Sequence, residues 1–346
     1  MFIPGIQLVY KSNTSFNEIV EKLDKGGTGF VLIVDENESL IGIVTDGDVR
    51  KAVLSNNHDA KSIINFNPHF KYEKDKASSY LYMRLNRIRH LPIVDEAKKI
   101  VEVCFQSDTD YLNTNVPVVL MAGGMGVRLR PLTEKTPKPM LPVGEKPILL
   151  WLIEQLKSYG FNEFYISVNY LADCITEYFG DGKKFGVKIN YIKETQRLGT
   201  CGALFYLKDK LKTTFLVMNS DLITELNFKD FLEDHLQHRA TATICTKKQI
   251  YRVPFGLIES DEDNGILAIR EKPVFTYDVN AGIYLFQPEV LELFEKEGYF
   301  DMNQLIDKIQ SVNKKLRKYS IKQFWSDIGT VEEYNRIINT VNGQGR

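Results

Sequence analysis

The chain opens with alternating stretches of helical and strand periodicity. Apolar residues at Phe16, Ile19, Val20 and Leu23 line one face of a helix over Ser15 to Leu23. Gly26 and Gly27 break that pattern, and Phe30 to Val34 is an apolar run short enough for a buried strand. Glu36 and Asn37 mark a turn, and Leu40 to Val44 a second strand. Thr45-Asp46-Gly47-Asp48 then opens a helix that Thr45 or Asp46 would cap, since either side chain can accept a hydrogen bond from an unpaired N–H of the first turn. Leu32-Ile33-Val34-Asp35 returns sixty positions later as Pro92-Ile93-Val94-Asp95, so two similar units are expected in the first third.

The polar segment 109 to 117 ends in Pro117 and predicts a boundary between a domain of residues 1–113 and one of residues 114–346. Beyond it, strand-like runs (Val118 to Met121, Phe164 to Val168, Val187 to Ile192, Phe215 to Met218) alternate with amphipathic helices over Ile148 to Tyr159 and Ala172 to Phe179. Gly160 closes the first helix and Gly180-Asp181-Gly182 the second. The alternation predicts an α/β fold with a mainly parallel sheet covered on both faces, whose ligands sit outside the carboxyl ends of the strands.

At 346 residues the chain is long enough for about two domains, and 43% hydrophobic with 26% charged residues is a composition that builds cores. A formal net charge of -1 argues against broad nucleic-acid binding. No apolar run approaches the roughly 18 residues of a membrane span and no signal peptide is visible, so a cytoplasmic protein is expected. Cys104, Cys174, Cys201 and Cys245 are widely spaced and are expected as buried thiols. His235 and His238 share a helix face but sit among polar residues, which accounts for them without a metal.

The chemistry concentrates in Val118 to Val143, VVLMAGGMGVRLRPLTEKTPKPMLPV. Gly123, Gly124 and Gly126 let main-chain N–H groups approach a phosphate, and Arg128, Arg130, Lys135 and Lys138 follow among prolines that prevent a helix. A Walker loop needs Gly-Lys-Ser/Thr where Gly126 is followed by Val127-Arg128, and a dinucleotide fingerprint needs a third glycine where Leu129 stands. Neither applies.

This stretch resembles the signature of the sugar-phosphate nucleotidyltransferases, through its glycine loop, its arginine, Pro-Leu-Thr and Pro-Lys-Pro-Met-Leu-Pro. Four further segments are similar in the same order: Leu198-Gly199-Thr200-Cys201-Gly202-Ala203, Asn219-Ser220-Asp221, Arg270-Glu271-Lys272-Pro273 with Asn280-Ala281-Gly282-Ile283-Tyr284, and Trp325-Ser326-Asp327. The resemblance implies a Rossmann-like nucleotidyltransferase domain. Its nucleotide site would comprise Leu120, Ala122, Gly123, Gly124 and Gly126, with Gly199 and Thr200 at the base. It also implies a Mg2+ ion on Asp221 and Asp327, and a sugar-phosphate site of Glu271, Lys272, Asn280 and Gly282. Arg128 would stabilise the leaving pyrophosphate and Lys138 the phosphates that meet. The substrates would be a nucleoside triphosphate and a sugar-1-phosphate. Asn169-Tyr170 and Tyr178-Phe179-Gly180-Asp181-Gly182 resemble the mannose-1-phosphate guanylyltransferase branch, which favours GTP. A non-catalytic regulatory relative would be expected to lack Arg128, Lys138, Asp221 or Asp327, and all four are present.

The first third resembles a tandem pair of CBS domains through Gly42-Ile43-Val44-Thr45-Asp46-Gly47-Asp48. By that resemblance Thr45 and Asp48 would bind the ribose and phosphate of an adenine nucleotide, and the pair would also serve to dimerise the chain. The matching segment of the second unit, Glu102 to Asp108, lacks the glycine and the threonine. A CBS pair before such a domain resembles the guanylyltransferases of bacterial nonulosonic acid pathways, among them legionaminic acid, which act on glucosamine-1-phosphate. Mannose- and heptose-1-phosphate are the alternatives.

Overall fold

The repeat of letters is also a repeat of backbone. A computed structural model describes residues 8–10, 14–79, 82, 83, 86, 88–105 and 115–341, and the chain divides into two units, Met1–Ser107 and Asp108–Arg346. In the first, β1 (Leu8–Tyr10) runs parallel to β2 (Phe30–Val34), which pairs antiparallel with β3 (Leu40–Thr45). The strands β4 (Lys71–Tyr72), β5 (His90–Val94) and β6 (Ile100–Phe105) repeat the same order and directions. Even the ladder irregularity recurs, between Ile33 and Val34 and again between Ile93 and Val94. The cause is a shared turn. Asp35 Oδ1 accepts the N–H of Ser39 at 2.8 Å and Asp95 Oδ1 that of Lys99 at 2.8 Å, while Glu38 and Lys98 take left-handed φ values of 65° and 60°.

Helix α1 (Phe16–Gly26) is capped by the Ser15 hydroxyl and stops where Gly27 turns left-handed at φ 61°. Its Ile19 packs with Val31, Ile33 and Val44, while Phe30, Leu32 and Leu40 pack with Val94 and Val103 of the second repeat. Helix α2 (Asp46–Leu54) starts at Thr45 as expected. The expected linker and residues 106–108 of the second repeat lie almost wholly outside the described residues.

In Asp108–Arg346, β7 (Val118–Met121) leads through the signature loop to the small hairpin β8 (Pro142–Val143) and β9 (Lys146–Pro147). Next come α3 (Ile148–Ser158), β10 (Glu163–Val168), α4 (Ala172–Phe179), β11 (Lys188–Lys193) and β12 (Phe215–Asn219). A short β13 (Leu222–Thr224) and α5 (Phe228–Gln237) precede the long β14 (Ala242–Arg252), the hairpin β15 (Leu257–Ser260) and β16 (Ile266–Arg270), and β17 (Val274–Phe286). The described chain ends with α6 (Met302–Ser311), β18 (Leu316–Ile321), β19 (Trp325–Asp327) and α7 (Val331–Val341).

The central sheet has seven strands in the order β11-β10-β7-β12-β17-β14-β18, with β17 antiparallel to both neighbours and every other pair parallel. Alternation along β7 sends Val118 and Leu120 into one core and Val119 into the other, which is why its sequence is an unbroken apolar run. Burying a side chain such as Leu120 completely stabilises by roughly 1.5 to 3 kcal/mol.

The segment after Leu198 enters a 3-10 turn over Gly202–Leu207, held tight because Gly202 abuts the Gly298 carbonyl. Two expectations are corrected. Cys174 is exposed, since α4 buries Ile175 and Phe179 and Cys174 falls off that stripe; the other three thiols are buried. His235 and His238 do not both sit on a polar surface. The His235 ring is fully buried between Thr243 Oγ1 (2.8 Å) and Gln287 Nε2 (3.0 Å), whereas His238 Nδ1 turns to the Asp234 carbonyl. No described helix is long and apolar enough to cross a membrane.

Candidate active site

Two adjacent parallel strands deliver the main groups to one edge of the sheet. Met121 of β7 stands opposite Asn219 of β12, and both the N–H and the hydroxyl of Ser220 donate to the Met121 carbonyl, at 3.2 and 2.6 Å. The glycine loop and Asp221 therefore leave side by side. Within the loop, Gly126 has φ 61°, and a Cβ there would stand 3.0 Å from Thr133 Cγ2 and 3.2 Å from Lys138 Cβ. Its glycine is needed for the loop to fold back on Lys138. The Thr133 hydroxyl closes this return by donating to the Gly126 carbonyl at 2.8 Å, and the Tyr170 hydroxyl ties down the carbonyls of Thr133 and Glu134.

Lys138, buried to 9% exposure, donates to Asp221 Oδ2 and lies 3.3 Å from Asp327 Oδ1. The two carboxylates meet because β13 and β19 form a three-residue antiparallel ladder, Leu222 opposite Asp327, and the Ile328 N–H donates to the Asp221 carbonyl at 3.2 Å. Burial raises the Asp221 carboxyl above the usual range; the Lys138 ammonium opposes that shift and the Asp327 charge adds to it. The other oxygen, Asp221 Oδ1, is buried and accepts no hydrogen bond among the described residues. An acceptor left unsatisfied at that depth costs about 1 to 3 kcal/mol, which a bound cation would relieve. Two carboxylates of this kind fit a hard divalent ion that keeps water and phosphate oxygens as its remaining ligands. No cluster of three or more His, Cys, Asp or Glu side chains suited to a metal occurs among the described residues.

The remaining expected residues divide by position. Arg128 is exposed, and its guanidinium lies beside Gly329, two residues beyond Asp327, so the loop arginine faces the same carboxylate segment. Gly123 packs against the Glu194 carboxylate, with a Cβ reaching 2.9 Å from Oε1, whereas a Cβ at Gly124 would meet nothing within 4 Å among the described residues. Leu120 and Ala122 are buried, the Ala122 N–H donating to the Ser167 carbonyl at 2.9 Å. Gly282 at φ 70° rests against the Asn219 amide and donates to Asn280 Oδ1 at 3.0 Å. Trp325 Nε1 donates to the Ala281 carbonyl at 2.9 Å, tying this part of β17 to the Asp327 strand. Glu271 and Lys272 are exposed at the turn between β16 and β17, and no hydrogen bond or ion pair joins them to Lys138, Asp221 or Asp327 among the described residues.

The Thr200 hydroxyl is taken up by residues 301 and 302, donating to Asp301 Oδ1 at 3.1 Å and accepting the Met302 N–H at 2.7 Å. In the first unit Thr45 and Asp48 satisfy each other. The Thr45 hydroxyl and N–H both donate to Asp48 Oδ2, at 2.6 and 2.9 Å, in a capping box.

Glu194 escaped the sequence reading. It follows β11 and accepts the Ser167 hydroxyl at 2.5 Å. Burial raises its carboxyl above the ordinary range, opposed by the Ser167 hydroxyl and the nearby Leu198 backbone N–H. It thus stands between the glycine loop and the Leu198–Thr200 turn. The one available signal was a carboxylate just past the carboxyl end of a parallel strand.

Residues 117–344 match the family model of the nucleotidyl transferases, and residues 8–55 match that of the CBS domain. The chain is 36% identical over 224 residues to a probable mannose-1-phosphate guanylyltransferase of Oryza sativa subsp. japonica, covering 62% of each chain. It is 32% identical over 244 residues to a UTP–glucose-1-phosphate uridylyltransferase of Synechocystis sp., covering 64% of this chain and 62% of that protein. The crystal structure of HddC from Yersinia pseudotuberculosis complexed with GMP-PN is similar at 27% identity and a TM-score of 0.52, over 65% of this chain and 98% of that one.

Proposed function

We propose, from the premise that this chain belongs to the nucleotidyl transferase family, that it transfers a nucleoside monophosphate from a triphosphate, GTP, to a sugar-1-phosphate. The observation that carries this reading is Lys138 lying between Asp221 and Asp327 beside a glycine loop, with one Asp221 oxygen unsatisfied. Mannose-1-phosphate guanylyltransferases among the relatives and the GMP-PN complex of HddC support GTP. Glucosamine-1-phosphate is our choice of acceptor, from the combination of a CBS region with this domain, and mannose- or heptose-1-phosphate is the alternative.

In the reaction a phosphate oxygen of the sugar-1-phosphate attacks the α-phosphorus in line. The new P–O bond forms as the bond to the β-phosphate breaks, and pyrophosphate leaves with the electron pair. Mg2+, held by Asp221 and Asp327, would supply charge neutralisation and a template for phosphate oxygens. Lys138 stabilises the charge growing around the α-phosphorus, and Arg128 that of the pyrophosphate, as fixed cations that need no reorganisation. Main-chain N–H groups around Gly124, where space is open, receive the phosphate tail. The nucleophile is already anionic, so no general base is required.

Pyrophosphate release from four nucleoside triphosphates crossed with several sugar-1-phosphates, with and without magnesium and AMP, tests the reading. Turnover confined to GTP supports it, and preference for another base corrects the nucleotide. No turnover in any combination points to a regulatory protein instead. For the first unit we propose adenine-nucleotide binding at Thr45 and Asp48; absence of heat with AMP, ADP and ATP in calorimetry on the full chain would refute it.

A further inference from the structure

We infer that Asp301 is a positioning residue for the nucleotide site, holding the Leu198–Thr200 turn in the conformation that receives the triphosphate's base. The inference rests on the reading above, because it needs a nucleotide in the glycine loop. Its geometric basis is separate.

The turn neighbours the glycine loop: the Glu194 carboxylate packs on Gly123, and the Arg197 guanidinium just before the turn meets Met125 Sδ of the loop at 2.6 Å. On its other side the turn is fastened to residues 300–302. The Phe300 N–H donates to the Leu198 carbonyl at 2.9 Å and the Cys201 N–H to the Phe300 carbonyl at 3.0 Å. Asp301 Oδ1 accepts the Thr200 N–H at 2.9 Å and the Thr200 hydroxyl at 3.1 Å, and that hydroxyl accepts the Met302 N–H at 2.7 Å. Asp301 Oδ2 is itself held by the Tyr299 hydroxyl at 2.7 Å. The packing is close enough that a Cβ on Gly199, at φ 74°, would lie 2.7 Å from the Phe300 carbonyl oxygen and 2.9 Å from Asp301 Oδ1. These hydrogen bonds from Tyr299 and Thr200 hold the Asp301 carboxyl below its usual range, against burial.

The same aspartate is also the N-cap of α6, in a capping box with Gln304. A loss of activity on removing it could therefore mean only a frayed helix. Substitution separates the two roles. Serine caps helices as well as aspartate and completes the same box with Gln304, but its hydroxyl is one bond too short to hold the Thr200 N–H and hydroxyl together. Asparagine keeps both the cap and an acceptor oxygen at the right reach.

The test measures steady-state kinetics and GTP affinity, the latter by calorimetry with magnesium, in the full-length chain. In Asp301→Ser the expected result is a rise of about tenfold in both the KM and the Kd for GTP, as two donors of the turn lose their acceptor. kcat and the KM for the sugar-1-phosphate should stay within about threefold, and the melting temperature should be nearly that of the wild type. Asp301→Asn should restore most of the affinity. Thr200→Val, which removes the hydroxyl from the other side, should reproduce the weakened GTP binding even if the serine variant folds poorly. GTP affinity unchanged in both Asp301→Ser and Thr200→Val, with wild-type turnover intact, overturns the inference alone. A uniform loss of kcat with unchanged GTP affinity also overturns it. A wild-type chain that neither binds nor turns over any nucleotide instead removes the functional reading beneath it.

Discussion

Thr45 and Asp48 in the first unit and Lys138, Asp221 and Asp327 in the second are both polar clusters at the carboxyl ends of strands, and they differ in what remains unpaired. The first is closed: hydroxyl, amide and carboxylate satisfy one another at a helix start. The second ends in a buried oxygen with no partner among the described residues. A closed cluster is stable by itself, and a ligand there has to exchange for its internal bonds, whereas an open one calls for something to complete it. Within the first unit the repeats sharpen the point, since Phe105 takes the place of Thr45 in the register and packs its ring at 5.7 Å from His90, itself stacked on Phe30. The backbone repeats without its polar cluster.

The largest effect that can break this contrast is at Asp221. Asp221→Ala should lower magnesium-dependent pyrophosphate release by about a thousandfold or more, read in a single-turnover assay, while Thr45→Ala leaves it within about twofold. Full rate in Asp221→Ala would remove the metal assignment. Next is Lys138→Ala, for which a loss of roughly a hundredfold confined to kcat is expected; a change only in KM would move Lys138 away from the reacting phosphates.

His235 probes a closed cluster in the second unit. Burial pushes its imidazole down to about 4 from 6.5, so the folded ring stays neutral while the unfolded one takes a proton. The folded pKa lies below the unfolded value, so stability is full above pH 6.5 and falls as pH drops toward 4. The cost near pH 4.5 is on the order of 2 to 3 kcal/mol. Urea midpoints at pH 7 and 4.5 should therefore separate less in His235→Gln than in the wild type. The smallest effect is the cap. Thr45→Ala should destabilise the first unit by about 1 kcal/mol, seen as faster amide exchange in α2. An unchanged exchange rate would mean that the capping box contributes little.

Much of this was legible in the sequence because it is local. The Val118 to Val143 stretch, the start of α2 at Thr45 and a helix around Ala172 to Phe179 all follow from neighbours within a turn or two. The resemblance of the aspartate motifs also pointed to Asp221 and Asp327, which the structure brings together around Lys138. What it could not supply was contact between distant segments. Nothing in the local pattern pairs Thr200 with Asp301 or Gly123 with Glu194, because those contacts depend on how separate strands end at one sheet edge. Cys174 was misjudged for a related reason: helix phase, not residue type, decided its exposure.

The ladder between β13 and β19 has a consequence for how the protein comes into being. Its two strands lie roughly a hundred residues apart in the chain, yet one carries the continuation of Asp221 and the other ends in Asp327. At about 5 to 20 residues per second of synthesis, a growing chain spends several seconds with its signature loop and first aspartate made and the second still missing. Asp221 and Asp327 can therefore meet only after that interval, because their contact depends on a ladder between two segments made at different times.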